Sequence, residues 1–204
     1  MMPNRWRLTG SAALLLLAMV LAMYGLASDT AEASRLVIRW TARLSLVLFL
    51  MAFTASAWAR LVPNGFTLWQ VRNRRYLGLS FALSHIVHLA AIGTLLAVNE
   101  ALFWQLTNMA TIFAGGLAYV FILLMAVTSF DPVASAIGRR AWRWLHGFGA
   151  WYIWMSFVFT FGKRAVMDGS YLPAMALIFA ALGIRLLACF RPGDRAPSQY
   201  GNPT

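Results

Sequence analysis

Stretches of about twenty apolar residues recur along this chain, the length an α-helix needs to cross a hydrocarbon core of ~30 Å. In lipid a backbone must satisfy its own hydrogen bonds, so isolated apolar runs of this length are helices. Six are legible: Thr9–Ala27, Ala42–Ala59, Leu77–Val98, Leu106–Thr128, Ala141–Phe161 and Tyr171–Phe190. They predict an all-α fold, a polytopic membrane helix bundle of about six transmembrane helices forming one domain over residues 1–190. Composition agrees, since only 11% of the residues are charged where a soluble domain carries roughly 25%. The end of the chain, "RPGDRAPSQYGNPT" over 191–204, is polar and rich in Pro and Gly, and is expected to be a disordered cytoplasmic tail. It is too short to form a flavin or nicotinamide site.

The first run has basic flanks at Arg5 and Arg7 and ends in "GLASDTAEAS", which resembles a small-residue cleavage site. Its apolar stretch exceeds the ~7–15 residues of a signal-peptide core, so it is read as a retained helix. The net charge of +11 would suggest nucleic acid in a soluble protein. Here the basic residues sit in short loops, where membrane topology accounts for them and no nucleic-acid partner is needed. Arg5 and Arg7, then Arg60, Arg72, Arg74 and Arg75, then Arg139, Arg140 and Arg143, then Arg191 and Arg195 alternate with loops that also hold Asp29, Glu32, Glu100 and Asp168. The bias places both termini in the cytoplasm. Spans three and five then run in the same direction, each starting at an arginine cluster. Arg185, inside the last span, is expected to snorkel to the cytoplasmic face. The single cysteine, Cys189, excludes an intramolecular disulfide.

The chemistry rests on three histidines, all on spans three and five. A histidine within a span ordinarily faces the bundle interior, paired or liganded. His85 and His88, at i and i+3, share a helix face; they lie ~15 and ~20 Å along the helix from Arg75, and His146 lies ~9 Å beyond Arg140. The spacing therefore predicts imidazoles at comparable depth on two parallel spans. Zinc wants about four N, S or O ligands, and these spans offer neither cysteine nor carboxylate at that depth. Haem iron needs one axial ligand on each side, and facing helices of a bundle can supply them. Gly78, Gly147 and Gly149, with the pair Gly115–Gly116, could clear room for a macrocycle. Arg74, Arg75, Arg139, Arg140 and Arg143 could meet its propionates. Each feature also has a plainer reading: a buried histidine bonded to Ser80 or Ser84, glycines that pack helices, arginines that set topology. Trp142, Trp144, Trp151, Tyr152 and Trp154 read as belt and packing aromatics. No phosphate loop, dinucleotide fingerprint or nucleophile motif is present.

"RRYLGLSFALSHIVHL", followed by "TSFDPVASAIGRRAWRWLHGFGAWYIW", resembles the ferric-reductase-like transmembrane domain superfamily. The likeness covers roughly Arg74 to Phe161. It is nearest to the haem-binding membrane subunit of the bacterial periplasmic methionine sulfoxide reductase system, and more distant from the STEAP and NADPH oxidase membrane domains. The resemblance implies a membrane b-type cytochrome of the bacterial inner membrane, with haem b held by histidines of spans three and five. His146 matches the span-five ligand. In span three, His88 matches the histidine of the bacterial subunit and His85 the inner-haem histidine of the oxidases. Many relatives carry a further histidine thirteen residues after the span-five ligand, where this chain has Phe159, so one haem is expected. Electrons are expected to come from a partner reductase or the quinone pool and to pass to a separate redox partner. The alternative is a haem-free membrane scaffold or assembly protein that keeps the fold. A permease is disfavoured, because no inverted repeat, broken helix or buried carboxylate is evident.

Overall fold

The computed structural model describes residues 4–190, and among these every regular element is helical. The sequence-predicted tail 191–204 lies outside the described residues. Eight α-helices follow in order: α1 (Trp6–Leu26), α2 (Thr30–Leu61), α3 (Gly65–Arg72), α4 (Arg74–Val98), α5 (Glu100–Leu106), α6 (Met109–Val127), α7 (Asp131–Met167) and, after a 3₁₀ turn (Gly169–Tyr171), α8 (Leu172–Phe190). By length and composition five segments can cross a membrane: α1, α2, α4, α6 and Gly169–Phe190. The chain is an integral membrane protein. The predicted fifth span lies inside α7, which is long enough but not among the five; its Trp, Tyr, His and Arg content lowers the mean hydropathy.

Local chemistry explains where the helices depart from the apolar runs. The second begins at Thr30, twelve residues before the predicted Ala42, because Asp29 caps it by accepting the Glu32 N–H at 2.8 Å. Glu32 in turn accepts the Ser28 N–H at 2.8 Å, which ties the residue before the cap to the first turn. Two short helices, α3 and α5, stand where the sequence was read as loop. Asn64 caps α3 with a full capping box, and Asn99 caps α5 by accepting the Leu102 N–H at 3.0 Å. Helix α7 is broken at Gly138, whose φ of 78° and ψ of 155° are open only to a residue without a Cβ. Residues 131–137 thus form a separate first segment, started by Asp131 and Pro132, where proline is tolerated.

The closest helix pair is α2 with α4, and its seam is small and hydroxylated. Ser34, Thr41 and Ser45 of α2 and Ser80 and Ser84 of α4 are fully buried. Small side chains let helix backbones approach within a membrane, and hydroxyls bond across them. Ser45 Oγ donates to Ser84 Oγ at 2.8 Å, and Thr41 Oγ1 lies 2.8 Å from His88 Nδ1. These pairs, with Phe49 against Phe81, show that α2 and α4 run antiparallel. Helix α1 packs on both, α8 packs on α2 and α7, and α6 packs on α7. By contrast α4 and α7 are not among the closely approached pairs. The space between them is a cavity.

Candidate functional site

The cavity has a volume of about 560 Å³, within the range of small-molecule and cofactor sites. Its walls are Phe49, Ala52 and Phe53 of α2, Gly78, Phe81 and Ala82 of α4, Ile122, Met125 and Ala126 of α6, and His146, Gly147, Ala150 and Ile153 of α7. At the mouth stand Arg74, Arg75, Arg143 and Asp131. At the other end Phe49, Phe81 and Phe157 close ranks, with ring centroids 5.4 Å apart for Phe49–Phe81 and for Phe49–Phe157. The result is an apolar slot with a cationic mouth.

Arg75 Nη1 meets Asp131 Oδ1 at 2.9 Å, the only ion pair among the described residues. Arg74 reaches only Ser56 Oγ, at 3.4 Å. The expectation that Arg185 snorkels away is corrected. Its guanidinium lies 4.2 Å from the ring centre of Phe53 and 5.1 Å from that of Trp151, donates to the Phe53 carbonyl at 2.7 Å, and lines the cavity. Two aromatic faces and a carbonyl hold the cation inside the bundle. Of the other predicted arginines, Arg74, Arg75 and Arg143 line the cavity; Arg140 is exposed and does not. A signal for Arg185 existed, since a lone arginine in an apolar span commonly faces an interior site.

The glycines also divide. Gly78 and Gly147 line the cavity, and a Cβ at either would meet no heavy atom within 4 Å. Gly149 instead packs helix on helix: a Cβ there would stand 2.6 Å from Met125 Sδ and 3.3 Å from Phe121 Cδ1. Gly115 and Gly116 do not line the cavity either.

His146 is in the cavity wall, stacked on Trp142 with ring centres 4.2 Å apart. Its Nε2 lies 3.0 Å from Thr128 Oγ1, which also contacts the Leu124 carbonyl at 2.6 Å. A carbonyl cannot donate, so the hydroxyl proton goes to Leu124 and Thr128 accepts from His146 Nε2–H. Nδ1 of His146 is then left with its lone pair. The same reasoning applies to His88. Thr41 Oγ1 donates to the Val37 carbonyl at 2.6 Å and accepts from His88 Nδ1–H at 2.8 Å, which leaves Nε2 as the unprotonated nitrogen. A ring N–H fixed by an oxygen is how ligating histidines are ordinarily oriented. His85 differs, for its buried Nδ1 has no hydrogen-bond partner, and neither has the nearby Tyr119 hydroxyl.

The structure brings His85 and His88 together, with ring centres 5.8 Å apart, but keeps them apart from His146. His85 packs on Phe81 at 4.5 Å and on Phe157 at 6.1 Å, so its level on α7 is that of Phe157. His146 lies eleven residues, or ~16 Å, lower on that helix. The comparable depth expected from counting residues is therefore not found. The count assumed that the two arginine clusters stand level, whereas Arg74 and Arg75 line the same cavity as His146 and Arg140 does not. The lining is apolar with cations at the mouth, and His146 is the one imidazole in its wall. A second axial histidine would have to come past the Phe81–Phe157 layer. No group of three or more His, Cys, Asp or Glu side chains gathers as a metal site among the described residues.

The fold and cavity define a helical integral membrane protein with an interior, cation-mouthed site. Comparison with known proteins returned no matching family model, no matching curated protein and no matching solved structure.

Proposed function

We propose that this chain is a b-type haem-binding membrane cytochrome subunit that relays electrons from a quinol or a reductase partner to a separate redox protein. In this reading α7 supplies a sixth span, both termini are cytoplasmic and the membrane is the bacterial inner membrane. The observation that carries the proposal is the apolar slot between α2, α4, α6 and α7, with His146 in its wall and Arg74, Arg143 and Arg185 free of carboxylate partners around it. The arginine-rich starts of α4 and α7 lie together at the Arg75–Asp131 bridge, which supports a common direction for the two helices. Bound haem supplies one-electron redox chemistry at a potential set by ligands, burial and nearby charge. His146, the imidazole in the cavity wall, would hold it from α7; His85 and His88, level with Phe157 and beyond, stand too far along the bundle to share its iron. The arginines hold carboxylates at the mouth, Gly78 and Gly147 leave clearance, and the phenylalanine layer keeps water from the far end. With Phe159 where relatives carry histidine, one haem is the expected complement.

A haem-free membrane scaffold is the second reading, and the separation of His85 from His146 favours it. Reduced-minus-oxidised spectra of protein expressed with ample haem decide between them. Haem bands are expected in the wild type and are expected to be lost in His146→Ala. They are expected to persist in His85→Ala and in His88→Ala, whose rings lie outside the cavity lining. Absence of bands in the wild type overturns the proposal; bands unchanged in His146→Ala remove that ligand.

A further inference from the structure

The opposite end of the bundle holds a second basic site that electron relay does not use. Arg43, thirteen residues along α2, lies 5.5 Å from the ring centre of Tyr171, and Arg164 of α7 lies 5.8 Å from it. Arg164 Nη1 also donates to the Tyr171 hydroxyl at 3.3 Å, and that hydroxyl's own proton has no acceptor among the described residues. Two guanidiniums and a phenol thus converge on one spot. None has an ion-pair partner, since Arg75–Asp131 is the only such pair among the described residues. Asp168 accepts the Ser170 N–H at 2.9 Å and the Ser170 hydroxyl at 2.8 Å; it also interacts electrostatically with Arg39 and Arg43, without an ion-pair contact to either, so one carboxylate faces an excess of cations.

Beside this cationic spot lies a groove of about 310 Å³ whose lining passes from Arg43 and Ser170 to Leu46, Val47, Phe161 and Leu177. Val47 and Leu177 are exposed, which in a membrane helix means facing acyl chains. Charge at one end and an apolar channel at the other is the pattern of an amphiphile. The level fits as well. Helix α2 has 32 residues, a length of ~48 Å, and so overshoots a core of ~30 Å; Arg43 lies in its first half, beside the Tyr171 turn that joins α7 to α8. A phosphate diester offers a negative charge and acceptor oxygens, which guanidiniums bind by charge-assisted hydrogen bonds.

We propose that this groove binds an anionic phospholipid, its phosphate on Arg43, Arg164 and the Tyr171 hydroxyl and an acyl chain along Val47 and Leu177. The test uses the full chain in detergent. Phosphatidylglycerol, phosphatidylcholine with the same acyl chains, and inorganic phosphate are compared by native mass spectrometry and thermal unfolding. Phosphatidylglycerol is expected to remain bound and to raise the unfolding midpoint, well ahead of phosphatidylcholine. Arg43→Gln with Arg164→Gln should weaken it about thirtyfold, roughly fivefold per guanidinium. Val47→Trp keeps every charge but blocks the groove, so it should lose the lipid even if the double variant proves too unstable to purify. Equal retention of both lipids overturns the proposal, as does an unchanged preference in either variant. Stabilisation by inorganic phosphate equal to that by phosphatidylglycerol would show a bare anion site, and binding of an acidic peptide in preference to phosphatidylglycerol would show a protein-docking surface; either result overturns it.

Discussion

Gly147 and Gly149 stand two residues apart on α7 and face different surroundings, so one pair of substitutions separates cavity clearance from helix packing. Replacing glycine by alanine in a helix gains about 1 kcal/mol of propensity, and this term is common to both sites. At Gly147 nothing lies within 4 Å of the added Cβ, so the gain stands and Gly147→Ala should be stabilised by about 1 kcal/mol. At Gly149 the Cβ would come 2.6 Å from Met125 Sδ, and overpacking of this kind costs about 1–3 kcal/mol. The low end of that range applies if the thioether swings into the neighbouring cavity, which Met125 also lines. The two variants should then differ by about 1–3 kcal/mol, or roughly 3–9 °C in unfolding midpoint for a chain of this size. The assay is thermal unfolding of both variants in one detergent, followed by measurement of bound haem. Gly147→Ala is expected to carry less haem despite its stability, because its methyl intrudes on the slot. Equal midpoints would refute the close α6–α7 approach at Gly149, and undiminished haem in Gly147→Ala would refute the clearance role.

Two further outcomes follow from hydrogen bonding. Thr41→Val removes the acceptor of the His88 Nδ1–H while keeping the side chain's shape, and should cost about 1–3 kcal/mol; Thr41→Ser should restore stability, and a neutral Thr41→Val in thermal unfolding would reverse the assigned tautomer. Asp168, held below the usual carboxylate range chiefly by the Ser170 backbone N–H and then by the Ser170 hydroxyl, adds stability above the ordinary aspartate pKa that is lost as pH falls through its lowered value; Asp168→Asn should flatten that acid limb, and an unchanged limb would count against the turn.

Much of the fold was legible in the chain because apolar length is a strong signal. Each of the six runs is mostly helical, and five segments are apolar and long enough to span; the fourth run starts too early, for Leu106 ends α5 and α6 begins only at Met109. The ends of α2 and α7 were less legible, since they are set by polar caps and by one glycine's backbone conformation and not by hydropathy. In the site, the arginine cluster, Gly78, Gly147 and His146 were readable from spacing. Arg185 was misread because snorkelling and interior placement leave the same trace in a single sequence. The relative depth of the histidines could not be counted from flanking arginines, because the two clusters do not stand at one level: Arg74 and Arg75 line the cavity that His146 lines, and Arg140 does not. Thr41 carried no signal and Thr128 entered only as part of a motif resemblance, since a threonine that orients a ring looks like any other helix residue until the facing helix is in place.

The hydroxyl seam between α2 and α4 has a consequence for how the chain assembles. Greasy surfaces can slide past one another in lipid with little change in energy, but a row of serines and threonines works like a vernier. Thr41 meets His88 and Ser45 meets Ser84 at one alignment only, and a shift of a single turn, about 5.4 Å, would strand several polar groups in hydrocarbon at once. These two helices are joined through the short α3, so they can lock as a hairpin while later segments are still being inserted. The slot then takes its dimensions from a template already fixed, and α6 and α7 close it from the other side.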